Sequence, residues 1–263
     1  GVVTRAGRER AADMVEELVG LLVHAHHRTC RVPFWNRPIP GAEDIAQRVV
    51  ELVCDVMPKH LEVRAEDIQV LCPGKKNLAG MTDLNLRLQQ RLNPPADHKP
   101  RHFHDGCAFR LGDRVQQVRN NPHRGDTGVF NGSSGTVTGV DVDAHQLTVT
   151  FPGGETATYP FTDLDELVHA YALTVHRSQG SEYPYVVIPM TNAAGMMLLQ
   201  RNLLYTAVTR ARDGVMLIGQ REAVERAVAN NRTQRRNTAL THRITHTATL
   251  PRPQTPNGQL AWD

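Results

Sequence analysis

The middle of the chain differs from its flanks in residue composition and periodicity, and this difference most constrains what the chain can fold into. Between residues 106 and 165, short β-branched runs alternate with Gly and Asn and show little helical periodicity. The runs cover residues 115–118, 135–142, 147–151 and 156–159. Asn131-Gly132 and the Pro-Gly-Gly at 152–154 suit the positive φ angles of tight turns. This block predicts a compact antiparallel β-barrel inserted into a larger domain.

On both sides of the block, strand-like apolar runs alternate with amphipathic stretches. Before it, the pattern predicts helices at 9–24 and 43–57, a strand at 68–72 and a helix capped by Thr82 and ending near 92. After it, the pattern predicts strands at 172–175, 186–189 and 215–218, a helix at 196–211 and an Arg-rich helix from 221. Such alternation is typical of a parallel sheet covered by helices. The predicted fold class is therefore α/β with a small inserted barrel.

Length and composition exclude several protein classes. The chain has 263 residues, 40% of them hydrophobic, which excludes collagen-like and wholly disordered proteins. No window approaches the roughly 18 apolar residues of a membrane span, and the first residues lack a secretory pattern. We therefore expect a cytoplasmic protein that does not act at a membrane. The net charge of +3 is too mild to identify a nucleic-acid partner by itself.

The cysteines and histidines do not predict a metal site. Cys30, Cys54, Cys72 and Cys107 form no CxxC pair, so we expect reduced thiols. Histidines cluster in an HAHH run at 24–27 and an HFH run at 102–104. Zinc sites normally combine ligand pairs from two places in the chain, and no cysteine pair completes either cluster. We expect no bound metal from these residues.

A polar turn at residues 176–182 is the first segment that could carry chemistry. It follows a buried strand and concentrates hydroxyls, an imidazole, an amide and a carboxylate within a few residues. Open α/β sheets bind ligands beyond the carboxyl ends of their strands. The pattern favours a binding site there, and a solvated loop in which Ser and Gly only shape the turn remains the alternative.

Arg210 is the second feature, at the end of the helix expected at 196–211. A planar, permanently charged donor on a rigid element suits the stabilisation of a γ-phosphoryl group during transfer. The alternative is an arginine that only interacts with the last carbonyls of the helix.

These segments resemble known motifs. TVHRSQGSEYPYVVIP followed by LLQRNLLYTAVTRAR resembles motifs V and VI of superfamily 1 helicases, most closely the RecD-like branch. IQVLCP, LNLRLQQRLNP, FRLGDRVQQVRNN and VFNGSSGTV occur in the order found in that branch. The resemblance covers about residues 68–244 and implies the second RecA-like motor domain, with an SH3-like barrel inserted in it.

The resemblance also implies roles for individual residues. Arg210 corresponds to the arginine finger, Glu182 to a carboxylate near the nucleotide ribose, and Tyr205 with Thr206 to support of the nucleotide cleft. Arg5 is our candidate for a second γ-phosphate arginine, although the usual Arg-Gln pair is absent. The single-stranded DNA backbone is expected to contact Thr174, His176, Gln179, Gly180, Ser181 and Lys75. Arg177 stands where Lys is frequent.

The sequence lacks the motifs that would complete an ATP site. A Walker A loop needs GxxxxGK followed by Ser or Thr, and Gly74-Lys75-Lys76 fails at the hydroxyl. No apolar strand ends in paired Asp-Glu that could hold magnesium. We expect ATP with Mg²⁺ as cofactor, with the metal held mainly by an amino-terminal RecA-like domain outside this sequence. This chain alone is then expected to be inactive.

The leading interpretation is the carboxyl-terminal motor half of an ATP-dependent 5′–3′ DNA helicase. Expected partners are single-stranded DNA, the amino-terminal RecA-like domain, and repair or recombination proteins. The alternatives are a non-catalytic single-strand-binding or adaptor module and the motor part of a conjugative relaxase. The expected domains are RecA-like residues 1–106, the barrel at 107–165, RecA-like residues 166–244, and a flexible tail at 245–263.

Overall fold

The computed structural model of the protein describes residues 41–195 and 198–231. The helix expected at 9–24, Arg5 and the tail at 245–263 lie outside the described residues. No helix in this part of the chain is long and apolar enough to cross a bilayer.

The elements follow the predicted alternation. The helices are α1 Ala42–Glu51, α2 Met57–Leu61, α3 Met81–Leu92, α4 Arg201–Val208 and α5 Arg221–Ala229. The strands are β1 Ile68–Cys72, β2 Arg101–His104, β3 Cys107–Arg110, β4 Arg114–Gln117, β5 Ser134–Asp141, β6 Gln146–Thr150, β7 Thr156–Pro160, β8 Leu167–His169, β9 Ala172–Thr174, β10 Tyr183–Met190 and β11 Ala211–Gly219.

The larger sheet has four parallel strands in the order β11-β10-β1-β9. All five residues of β1 are buried, as expected for a strand with both faces covered. Val70 and Val187 pack in one apolar cluster with α1 and α3. Leu71 and Val186 pack in a second cluster with α4 and α5. Because successive strand residues point to opposite faces, these clusters place helices on both sides of the sheet, as in a RecA-like domain.

The inserted barrel is a five-stranded antiparallel sheet in the order β7-β6-β5-β4-β8. Its core includes Val115, Leu147 and Tyr159, each fully buried. The strand β8 pairs with β4, so the sheet of the barrel continues past residue 165, where we expected the motor domain to resume. The hairpin of β2 and β3, which the sequence pattern did not predict, precedes the barrel.

Two buried polar contacts join the barrel to the parallel sheet. Asp113 is fully buried and accepts hydrogen bonds from Gln89 at 2.6 Å, Asn93 at 2.7 Å and the Tyr171 hydroxyl at 2.9 Å. Arg114 donates to the side-chain oxygen of Gln69 in β1 at 2.9 Å. Because unpaired buried polar groups are costly, these bonds fix the barrel against α3 and β1.

Predicted boundaries of three helices were wrong. The helix predicted at 43–57 continues through a π turn, Leu52–Val56, and ends at Leu61. The residue that precedes α3 as N-cap is Gly80, and Thr82 lies inside the helix. The helix predicted at 196–211 covers only Arg201–Val208.

Candidate functional site

The polar turn is anchored by a buried serine. The Ser178 hydroxyl is fully buried and donates to the Val175 carbonyl at 2.8 Å, and its amide donates to the Thr174 carbonyl at 3.2 Å. Gly180 has φ +86°, which a residue with a side chain rarely adopts. The side chains of His176 and Gln179 are exposed. The turn therefore has a folded base that presents polar groups to solvent, unlike a loosely solvated loop.

The polar turn links the two ends of the parallel strands: the carboxyl edge of the sheet, where the strands end, and the amino edge, where they begin. Cys72, at the end of β1, lies level with Thr174, whereas Ile68, at its start, lies level with Tyr185. The turn thus runs back by roughly 13 Å along the strand direction, at about 3.3 Å per residue. We expected the turn to present its polar groups just past the carboxyl end of a strand, but Ser181 and Glu182 lie at the amino edge.

Arg210 meets this far end of the turn. Its Nη1 donates to the Ser181 carbonyl at 3.2 Å, and its own carbonyl accepts from the Tyr183 amide at 2.9 Å. Its Nε donates to the Thr206 carbonyl at 3.3 Å. Arg210 lies between the end of α4 and the start of β11, two residues past the end of the helix in which we expected it.

The guanidinium of Arg210 has only neutral acceptors around it. They are two carbonyls and the Thr209 hydroxyl at 3.5 Å, and within the described residues Arg210 forms no ion pair. Glu182, the nearest residue expected to bind nucleotide, is exposed. Arg210 and Glu182 are therefore presented at the same edge of the sheet with no ion pair between them.

The phenol of Tyr183 is close enough to Arg114 and Arg210 for both charges to act on it. Burial raises the pKa of its phenol, while the charges of Arg114 and Arg210 oppose that shift. The hydroxyl therefore stays protonated at neutral pH. Because Arg114 comes from the barrel and Arg210 from the end of α4, Tyr183 marks the place where barrel, turn and Arg210 meet.

Two comparisons with protein families fit this arrangement. The UvrD-like helicase C-terminal domain matches residues 169–218, which include the polar turn and Arg210. The ATP-dependent RecD-like DNA helicase SH3 domain matches residues 84–151. The ATP-dependent RecD2 DNA helicase of Deinococcus radiodurans is 40% identical over 177 residues, covering 67% of this chain and 23% of that protein. This chain is the carboxyl-terminal half of a RecD-like superfamily 1 helicase motor.

Other relatives are more distant. The RecD subunit of the RecBCD enzyme of Mycobacterium tuberculosis is 34% identical over 102 residues, covering 38% of this chain and 17% of the relative. A Pif1 helicase from Bacteroides solved with ADP-AlF3 and ssDNA has a TM-score of 0.46 and 13% identity, covering 89% of this chain and 54% of that chain. The RecD-like motor half thus spans less than a third of either curated relative.

The remaining expected residues of the RecD-like motor half fall into two groups. Lys75 is exposed in the loop after β1, at the carboxyl edge near Thr174. Tyr205 is 46% exposed on α4, and the Thr206 hydroxyl donates to the Asn202 carbonyl within that helix. Lys75 and Arg210 therefore lie at opposite ends of the strands, Lys75 at the carboxyl edge and Arg210 at the amino edge.

Arg177 is a candidate that our site prediction did not include. Its Nη1 atom is buried and has no hydrogen-bond partner among the described residues. Burial lowers the pKa of its guanidinium. An enclosed, unpaired donor is costly, so an anion that reached it would be stabilised. In the sequence, the only sign of this residue was that Arg177 stands where Lys is frequent in the family.

No metal site is visible in the described part of the motor half. Within residues 41–195 and 198–231, no group of three or more His, Cys, Asp or Glu side chains could hold an ion. The side chain of His102 instead stacks on Phe161 with ring centroids 3.6 Å apart.

Proposed function

We propose that this chain is part of an ATP-dependent 5′–3′ DNA helicase and couples ATP hydrolysis to movement along single-stranded DNA. The observation that carries the proposal is the polar turn, which joins Thr174 at one edge of the sheet to Ser181 and Arg210 at the other. A single short segment then contacts DNA at one end and the nucleotide at the other. Nucleotide-dependent displacement of either end is transmitted to the other.

Arg210 is the proposed catalytic residue. A guanidinium bound only to neutral acceptors keeps its charge for a phosphate, and an arginine finger contributes roughly 10³–10⁵-fold to the rate of phosphoryl transfer. Glu182 is the proposed acceptor for the sugar hydroxyls, and Tyr205 supports the cleft. Arg5, the proposed second arginine, lies outside the described residues.

ATP with Mg²⁺ is the proposed cofactor. The charges at the amino edge fit a nucleotide, because Arg210 suits its phosphates and Glu182 its hydroxyls. Mg²⁺ would neutralise phosphate charge when bound. We assign its ligands to the partner RecA-like domain, since the described residues offer no ligand cluster. Without that domain, the chain is proposed not to hydrolyse ATP.

Single-stranded DNA is the proposed substrate track at the carboxyl edge. Lys75 and His176 are exposed near that edge, Gln179 and Gly180 are exposed further along the polar turn, and Arg177 offers its unpaired donor. Aromatic residues make up only 5% of the chain, so we expect phosphate contacts to dominate over base stacking. Binding should therefore weaken steeply as salt rises. We also propose DNA repair or recombination proteins as partners and a cytoplasmic location.

Replacing Arg210 tests the proposal in a protein that contains both motor halves. Arg210→Ala should lower DNA-stimulated ATP hydrolysis by about 10³-fold or more and leave single-stranded DNA affinity nearly unchanged. Arg221→Ala is the matched control, because Arg221 is an exposed arginine that pairs with Glu225 at 3.0 Å on α5. Undiminished hydrolysis in Arg210→Ala would remove the finger assignment. DNA binding that never responds to ATP would favour the non-catalytic module.

A further inference from the structure

A cysteine, a histidine and an aspartate form a series of contacts where the barrel meets the parallel sheet. Nε2 of His169, on β8, lies 3.3 Å from the Asp113 carboxylate, and these two side chains are only 9% and 0% exposed. The imidazole also shares a hydrogen bond with the thiol of Cys107, on β3. Cys107 is exposed, so only the thiol end of the series meets solvent. A carboxylate that orients an imidazole beside a thiol is the arrangement that activates a cysteine as a nucleophile.

The backbone of β3 holds the thiol beside the imidazole. The ring of Phe109 stacks on His169 with centroids 4.7 Å apart, and the Ala108 carbonyl lies 3.2 Å from Nε2 of His169. The same carbonyl accepts a hydrogen bond from the Gln89 side chain of α3 at 2.7 Å. Cys107 is therefore carried by a strand that is fixed on both sides of the imidazole.

The charges around the thiol favour its anion. The hydrogen bond with His169 holds the pKa of the Cys107 thiol below its usual value, against burial and the nearby Asp105 carboxylate, which raise it. Burial lowers the pKa of His169, but its contacts with Asp113 and Cys107 raise it to about 9. At neutral pH the exposed thiolate is thus paired with a protonated imidazole.

The other described cysteines lack this environment. Burial raises the pKa of the Cys54 thiol to about 11 and also raises that of Cys72, which is fully buried. Among the described cysteines, only Cys107 combines exposure with a neighbouring cation. The three side chains of the series do not form a metal site, since the described residues contain no group of three that could hold an ion.

We propose that Cys107 is a site of oxidation by hydroperoxides, with His169 as the proton donor. The thiolate attacks one peroxide oxygen, and the S–O bond forms as the O–O bond breaks. With hydrogen peroxide, the leaving hydroxide takes a proton from the imidazolium and departs as water. The products are a sulfenic acid on Cys107 and a neutral imidazole, so the sulfur loses two electrons and the peroxide gains them.

The proton donor is the reason for naming a hydroperoxide. Hydroxide is a poor leaving group, so an adjacent acid accelerates its departure. A thiolate that leaves a disulfide departs without a proton, so His169 would assist that reaction only by keeping Cys107 ionised. This inference does not depend on the proposed helicase function, because no residue of the series belongs to the nucleotide or DNA sites.

Oxidation changes the junction between the barrel and the parallel sheet. Once the thiolate is consumed, His169 loses one of the contacts that raise its pKa. The imidazole is then protonated less and pairs less strongly with Asp113, whose bonds join the barrel to α3. We expect peroxide to lower the unfolding midpoint of the wild type by about 2–4 °C and to leave that of Cys107→Ser unchanged. An equal decrease in both proteins would remove this effect on the junction.

Trapping the sulfenic acid tests the site in the 263-residue chain. Hydrogen peroxide with dimedone at about pH 7, followed by peptide mass spectrometry, should label Cys107 at least about tenfold faster than Cys54 or Cys72. Alkylation of Cys107 by iodoacetamide should show a pH midpoint below that of a free cysteine, about 8.5. Labelling no faster at Cys107 than at Cys54, or a midpoint at or above that value, would overturn the inference. Neither measurement requires a variant to fold.

His169→Gln tests the proton donor. It should slow dimedone labelling of Cys107 by about tenfold or more and raise the alkylation midpoint. Tyr171→Phe is the matched control, because it keeps the ring and removes only a 2.9 Å bond to Asp113 at the same junction. It should react as the wild type does. Equal slowing in both variants would mean that packing alone sets the reactivity.

A disulfide probe separates ionisation from proton transfer. At pH values where Cys107 is equally ionised in the two proteins, His169→Gln should react with cystamine as fast as the wild type and with hydrogen peroxide more slowly. Equal rates with both probes, or equal slowing with both, would overturn His169 as the proton donor.

Discussion

Asp113 shows how a single buried carboxylate organises this molecule. Besides its bonds to α3 and Tyr171, it accepts the Arg110 amide at 2.7 Å and lies 3.3 Å from Nε2 of His169. Burial favours the neutral acid, but His169 and the hydrogen bonds hold the pKa of Asp113 below its usual value. The carboxylate and an imidazolium therefore coexist in the interior at neutral pH.

The partner His169 makes stability depend on pH. Burial lowers its pKa, but contacts with Asp113 and Cys107 outweigh burial and raise the pKa to about 9, against a usual value of 6.5. A raised pKa in the folded state stabilises the protein fully below about pH 6.5, and that stabilisation is lost as pH rises through 9. We expect the free energy of unfolding to fall by up to about 3 kcal/mol across this window.

Urea unfolding at a series of pH values measures this loss. His169→Gln, which cannot become charged, should be less stable than the wild type at pH 6.5 and show a flatter profile up to pH 9. Parallel profiles for the two proteins would contradict the role of the imidazolium.

Some residues of the candidate site could be predicted from the sequence, and others could not. Arg210 and Glu182 were predicted from motif order, because their neighbours along the chain carry the signal, and their roles stay predictions. The enclosure of Arg177 and the partners of Asp113 were not identified. Gln89 and Tyr171 lie far from Asp113 in sequence, so their contact with it appears only after folding.

Among the structural elements, the polar turn depends on one glycine. A Cβ on Gly180 meets no atom within 4 Å, so only its φ of +86° opposes a side chain. Gly180→Ala should cost about 1 kcal/mol and displace Ser181 from Arg210. We expect DNA-stimulated ATP hydrolysis, measured in the protein with both motor halves, to fall by about tenfold or more.

Gly106→Ala is the matched control for this change. Gly106 has φ +77° and equally open surroundings, but it lies in the hairpin of β2 and β3. It should lose similar stability and keep full hydrolysis. Equal activity losses in both variants would mean that the glycine of the polar turn has no special role.

The helix α4 shows why boundaries are harder to predict than elements. The apolar run before Arg201 fits helical periodicity, yet Gly195 takes φ +86° and Leu199 is buried in a loop. The side chain of Asn230 donates to the Leu199 carbonyl at 2.9 Å, and the Arg201 amide donates to the Asn230 carbonyl at 3.0 Å. These contacts come from a distant part of the chain. The barrel strands β4 to β7 were predicted within one residue at each end, because hairpin turns mark them locally.

In the molecule as a whole, the barrel and the parallel sheet should unfold together. Their shared bonds at Asp113 are buried, so breaking them exposes both units. We expect a single calorimetric transition for the wild type. Asp113→Ala removes an acceptor from Gln89 and Asn93 and the acceptor of the Tyr171 hydroxyl, and it should cost about 3–5 kcal/mol. It should also separate the transition into two.

Asp143→Ala is the control for this change, since Asp143 is exposed at the far turn of the barrel. It should melt as the wild type does. A single transition in Asp113→Ala at reduced temperature would show that other contacts join the two units.

The outermost strand β9 limits how readily molecules associate with one another in crowded solutions. The Asn85 side chain donates to the Ala172 carbonyl at 2.8 Å and accepts from the Ala172 amide at 2.9 Å, as a neighbouring strand would. The Thr174 carbonyl is occupied by the amides of Arg177 and Ser178. A second molecule therefore finds little unsatisfied backbone on this border, and strand-exchanged dimers or fibrils cannot readily begin there. An asparagine amide gives this border the protection that other proteins obtain from lysine or proline.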